Sequence, residues 1–184
     1  MRGFLNGVVF TLAVLAGSAF VAVWEGVLPS GADNKPSKLE RWAANKSLGA
    51  TINREDKALT NPLQPTDANL IDGVHLYGAN CAVCHGASDA QPSTIAQGFY
   101  IHAPQLAKHG VEDDSEPETF WKLTHGIRFS AMPSFAATLS DEERWKLTML
   151  LARMDKLPAA VELEWKKVPS VAGSPAPVTG SPAP

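Results

Sequence analysis

Cys81-Ala82-Val83-Cys84-His85 is the stretch on which the reading of this chain turns. Two thiols three positions apart, followed directly by an imidazole, form C-x-x-C-H, the pattern to which a haem is covalently attached. The spacing answers to the chemistry. The thiols add across two vinyl groups on one side of the macrocycle, and the next residue then lies beneath the iron, where its imidazole donates as proximal ligand. No other cysteine is present, so neither a disulfide framework nor a four-sulfur zinc site is available. A redox dithiol of the thioredoxin kind calls for a strand and a βαβ context that the surrounding pattern lacks.

Outward from the motif, the sequence reads as helices. Upstream, a Thr66 cap opens a helix that runs to the cysteines, with Leu70, Val74, Tyr77 and Cys81 on one face at spacings of four, three and four. Downstream, Ser115-Glu116-Pro117-Glu118 is a capping-box pattern with proline in the first turn, and Gly126 stops the helix after Thr124 or His125. Ser140-Asp141-Glu142-Glu143 opens the last helix, which is expected to reach about Asp155, with Leu147, Leu150, Leu151 and Met154 as its apolar stripe. No strand-like alternation competes, so the expected fold is all-α, a compact domain over residues 66–158.

The flanks differ in character. Gly3 to Val23 is an uncharged apolar run that would span ~30 Å as a helix, the thickness of the hydrocarbon core. Trp24 ends it, Arg2 precedes it, and Glu25 and Asp33 follow. The positive-inside tendency therefore puts the rest of the chain outside the cytoplasm. Residues 1–27 are read as a single-pass anchor in the cytoplasmic (inner) membrane. The run exceeds the ~7–15 apolar residues of a signal peptide, and no clean small-x-small cleavage site follows it. The haem domain is placed on the periplasmic side, since c-type haem is attached outside the cytoplasm. Residues 28–65 read as a linker rich in Pro, Gly, Asn, Lys and Asp, with a short helix at Leu39 to Leu48, and would span roughly 30–35 Å as a flexible chain. Residues 159–184 read as a disordered tail rich in Pro, Ala and Ser, of low complexity from about Pro169.

A net charge of −3 without a basic stripe gives no footing for nucleic acid. Glu112, Asp113, Asp114, Glu116 and Glu118 cluster within seven positions. They read first as a solvated loop and helix start, and second as a docking patch for a basic partner.

Three segments together, Gly73-x-x-x-Tyr77-x-x-x-Cys81-x-x-Cys84-His85-Gly86, Ala103-Pro104-Gln105-Leu106 and Gly126-Ile127-Arg128-Phe129-Ser130-Ala131-Met132-Pro133-Ser134-Phe135, resemble the class I cytochrome c family. The resemblance covers about half the chain. It implies an all-α domain around one covalent haem c held by Cys81 and Cys84, with His85 and Met132 as metal ligands. Pro133 biases Met132 toward an extended backbone that suits this role, and a neutral thioether favours reduced iron. The other candidates for the distal position are His75, His102, His109, His125, Met149 and Met154; His102 and His109, which flank Pro104, come next after Met132. By the same resemblance the Pro104 carbonyl accepts a hydrogen bond from the proximal imidazole and Leu106 packs on the haem. Gly73 and Tyr77 sit where the first helix crosses the last, with Trp145 or Leu150 opposite; Arg128 or Trp121 reads as a propionate contact, or equally as a solvated Arg and a core Trp. The stretch from His85 to Pro104 is longer than in short family members.

With both axial positions filled, the expected function is electron transfer without catalysis. Electrons would pass between a membrane complex or exported dehydrogenase and a soluble cytochrome or terminal oxidase. The alternatives are a fixed haem relay in a respiratory or dehydrogenase complex, and a haem enzyme or gas sensor with a displaceable distal ligand.

Overall fold

Helix starts follow the capping chemistry of the sequence. The structure, a computed structural model, describes residues 2–91, 93–108 and 110–171, which are helical with no strand among them. Thr66 accepts from the Asn69 amide and opens α3 (Asp67–Asn80). Ser115 accepts from Glu118 and opens α5 (Glu116–His125), which ends at Gly126. Ser140 and Glu143 form a reciprocal capping box at the head of α6 (Asp141–Leu151). The box expected at Ser115 is only half made, because the Glu118 carboxylate pairs with Lys122 instead. α6 stops at Leu151, short of Asp155, and the chain continues in turns.

Two compact units divide the chain, residues up to Asn34 and residues from Lys35 onward. The first contains α1 (Arg2–Trp24), a helix of 23 residues with none buried, long and apolar enough to cross a membrane. At ~1.5 Å per residue it measures ~35 Å.

The second unit is built on the crossing of α3 and α6. At Gly73 the two backbones meet so closely that a Cβ would lie 2.7 Å from the Lys146 carbonyl oxygen and 3.2 Å from Leu150 Cβ. Leu70, Val74, Leu147 and Leu150 close over the crossing at 1% exposure or less. Each such side chain contributes roughly 1.5–3 kcal/mol by leaving water. Leu150 stands opposite Gly73 as expected, whereas Trp145 stacks on Phe120 of α5 with centroids 3.9 Å apart. Phe120 also carries the Arg144 guanidinium 5.3 Å from its centroid.

Two elements differ from the sequence reading. The short helix expected at Leu39 to Leu48 within the linker is present but longer: α2 (Lys38–Glu55) has 18 residues, is opened by a Ser37–Glu40 capping box and is buried at Ile52. α7 (Ala159–Trp165) falls in what reads as a tail. Its Val161 and Trp165 are buried, and Trp165 meets the Tyr77 ring edge-on at 4.9 Å. This short helix is held by packing on α3, so its own periodicity is a weak signal. The low-complexity residues 172–184 lie outside the described residues.

Two predictions follow from these contacts. Gly73→Ala is expected to destabilise the domain by about 1–3 kcal/mol through overpacking at the crossing. Gly78→Ala, whose Cβ would make an ordinary contact 3.6 Å from Val168, should be neutral or stabilising. Denaturant midpoints for both variants check this, and a Gly73→Ala protein as stable as its parent contradicts it. The Tyr77 hydroxyl donates to the Gly86 carbonyl at 2.9 Å in a fully buried setting. Tyr77→Phe leaves that oxygen unpaired and should cost ~1–3 kcal/mol at pH 7. Burial raises the Tyr77 pKa, so its contribution is whole below the unfolded value and fades as pH rises above it. The stability gap between parent and Tyr77→Phe should therefore narrow above pH ~10.

Candidate haem site

The attachment motif sits on α4 (Ala82–His85), a single helical turn directly after α3. The Cys84 and His85 amides both bond the Cys81 carbonyl, at 3.0 and 2.9 Å, so the thiols are stacked one turn apart. Gly86 ends the turn at φ +79, where a Cβ would meet Gln105 Oε1 at 2.5 Å and the Gln91 carbonyl oxygen at 2.8 Å. The Ser93 hydroxyl folds the following segment back onto the Val83 carbonyl.

Cys81, Cys84 and His85 open onto a cavity of about 280 Å³. Pro104, Leu106 and Met132 line the same cavity, so the structure brings all six expected site residues to one place. His85 Nδ1 lies 2.9 Å from the Pro104 carbonyl oxygen. A carbonyl only accepts, so Nδ1 carries the proton and Nε2 keeps its lone pair for a metal. Burial lowers the His85 pKa while the Pro104 contact opposes it, and the ring stays neutral at physiological pH.

Burial, with a smaller contribution from Cys84, pushes the Cys81 thiol up to about 12, and burial raises Cys84 as well. Redox-active dithiols need the opposite, a depressed pKa and an electropositive setting. Among the described residues no cluster of three His, Cys, Asp or Glu is arranged for a metal ion, which leaves zinc without a ligand set there.

The Met132 loop is pinned to the end of α5. The Ile127 amide bonds the Met132 carbonyl at 3.2 Å, and the Phe135 amide bonds the Leu123 carbonyl at 3.0 Å. Ser134 Oγ donates to the Thr124 carbonyl at 2.6 Å. Gly126, at φ +66, makes this possible, since a Cβ there would lie 2.6 Å from the Pro133 carbonyl carbon. The Met132 side chain is half-buried at the cavity wall.

A polar atom on that wall bears on whether a large group fits. Thr119 lines the cavity, is 4% exposed, and its Oγ1 has no partner within the protein. Buried hydroxyls are seldom left unpaired, and a bound group with polar substituents would satisfy this one. Apolar walls, two attachment thiols, a neutral imidazole and an orphaned hydroxyl together suit a haem.

Of the remaining candidates, His102 lines the same cavity, and the other described ones lie away from it. Met149 is buried in the core and Met154 packs against it. His75 is exposed near Glu164, and exposed His125 lies against Trp121, ring centroids 4.7 Å apart. His102 is exposed at the cavity mouth, and His109 lies outside the described residues. Trp121 gives its Nε1–H to Glu55 at 3.0 Å, so that proton is already used, and Arg128 is exposed. The acidic cluster is largely paired: Asp114 and Glu118 hold Lys122, and Glu116 holds Arg153. The first reading of that cluster, local charge at a helix start, is the one these pairs support.

Sequence reasoning missed Asn45 and Leu48 of α2, which also line the cavity. Their signal was the spacing of Asn45, Leu48 and Ile52 on one helical face, diluted by polar neighbours.

Residues 68–149 match the family described as cytochrome c oxidase, cbb3-type, subunit III. No solved structure matches the chain. The matched segment runs from α3 through most of α6 and contains the attachment motif, the Pro104 loop and the Met132 loop. The matched segment, residues 68–149, is therefore a c-type cytochrome domain, and the class I family it supports is one whose members carry covalent haem c and serve electron transfer.

Proposed function

We propose that the chain is a membrane-anchored, single-haem electron carrier in which His85 and Met132 would both hold the iron. The supporting observation is that both side chains line one cavity, each on a segment fixed by its own backbone hydrogen bonds. When bound, the haem supplies one-electron chemistry. Cys81 and Cys84 tether it through thioether bonds. Pro104 holds the His85 ring with Nε2 free, and Gly126 lets the Met132 loop pack tightly. Leu106, Leu123 and Leu151 keep water from the site. A nitrogen and thioether pair raises the reduction potential relative to two nitrogen ligands.

The cytochrome domain spans Thr66 to Pro158, with α2 and α7 packed onto it. α1 anchors it in the cytoplasmic membrane with the haem domain on the periplasmic side. There it exchanges electrons with a membrane complex, an exported dehydrogenase, a soluble cytochrome or a terminal oxidase, in encounters of small area. The matched family's description as an oxidase subunit favours a second reading, a fixed relay within a respiratory complex. Purification in mild detergent separates the two: a lone pigmented chain supports the carrier, a stable multi-subunit assembly the relay.

Cys81→Ser with Cys84→Ser should abolish pigment that survives denaturation. Met132→Ala should keep the pigment, lower the potential by on the order of 0.1 V within the ~0.8 V range that axial ligands command, and let carbon monoxide bind the reduced protein. Rapid carbon monoxide binding to the unaltered reduced protein would count against a filled distal position and for the sensor or enzyme alternative.

A further inference from the structure

We propose that α2, outside the matched cytochrome segment, is a working wall of the haem site, with Leu48 shielding the haem from water. The inference rests on the reading of the cavity as the haem site.

Asn45 and Leu48 line the cavity, and Ile52, one turn further along the same face, is 3% exposed. The rest of α2 is largely solvated, and a helix of 18 residues containing Gly49 and two asparagines is marginal by itself. Its position is set by contacts at both ends and just beyond. Glu40 accepts from the Tyr100 hydroxyl at 2.7 Å, on the long segment between His85 and Pro104. Glu55 accepts from Trp121 Nε1 at 3.0 Å, on α5. After the helix, Asn61 donates to Glu116 at 2.8 Å, and Glu116 also holds Arg153. Three hydrogen bonds, one to the Tyr100 segment and two to α5, hold one short apolar face over the cavity. Solvent exposure and local dielectric are among the protein's levers on haem potential. Water admitted at this wall would favour the more highly charged oxidised state.

The test uses the full chain, haem-loaded and solubilised in detergent. At a fixed mediator potential, Leu48→Asn should lower the reduced-to-oxidised ratio about fivefold, equivalent to about 40 mV at 59 mV per tenfold for one electron. Leu48→Met should restore it, and Ala43→Ser, on the opposite face of α2, should leave it unchanged. Trp121→Phe, which releases the Glu55 end, should shift it in the same direction as Leu48→Asn. In the unaltered reduced protein, Leu48 methyl resonances should be displaced by the macrocycle's ring current, a readout that does not depend on any variant folding. Undisplaced Leu48 methyls, or an unchanged ratio in Leu48→Asn with covalent pigment intact, overturn the proposal. A parent protein without covalent pigment overturns it together with the haem reading.

Discussion

The approach of α3 to α6 at Gly73 is the constraint from which the site geometry descends. α3 delivers the attachment motif at its C-terminal end, and α6 follows the Met132 loop after a short turn. Fixing where these helices cross therefore fixes how far the two candidate ligand segments stand apart. A side chain larger than hydrogen at Gly73 would force the backbones apart, and the displacement would be felt at both walls of the cavity. Tyr77, one turn further along α3, ties the same helix to Gly86 beyond the motif and to Trp165 of α7.

The site then solves two problems largely with backbone groups and short hydroxyl contacts rather than with charges. An imidazole that must offer a bare nitrogen needs its other nitrogen occupied, and the Pro104 carbonyl does this without a charge in the interior. A methionine on a loop loses considerable freedom when it is held in one place, and the amides and hydroxyls around Gly126 take up that cost locally. The raised thiol pKa values agree with cysteines placed for tethering rather than for dithiol exchange.

Much of this was legible in the sequence because it is local. The C-x-x-C-H motif, the Thr66, Ser115 and Ser140 caps and the Gly126 stop are all written within a few residues, and the crossing at Gly73 and the Pro104 contact followed from the family resemblance. What escaped was tertiary. The spacing of Asn45, Leu48 and Ile52 on one face of α2 is diluted by polar neighbours, so it did not single out the face turned to the cavity. α7 depends on α3 for its burial, and Val161 and Trp165 amid polar neighbours looked like the start of a tail. Trp121 reads either as a propionate contact or as a core residue; it is buried, and its indole N–H goes to Glu55, a partner 66 positions away that no local pattern reveals.

The central claim of the proposed function is that His85 would supply a nitrogen and Met132 a sulfur to one iron. X-ray absorption at the iron edge of the purified pigmented protein tests it most directly. The account predicts five nitrogen scatterers and one sulfur scatterer around the metal, with the sulfur lost in Met132→Ala. A first shell without sulfur, or with oxygen in its place in the unaltered protein, would contradict it.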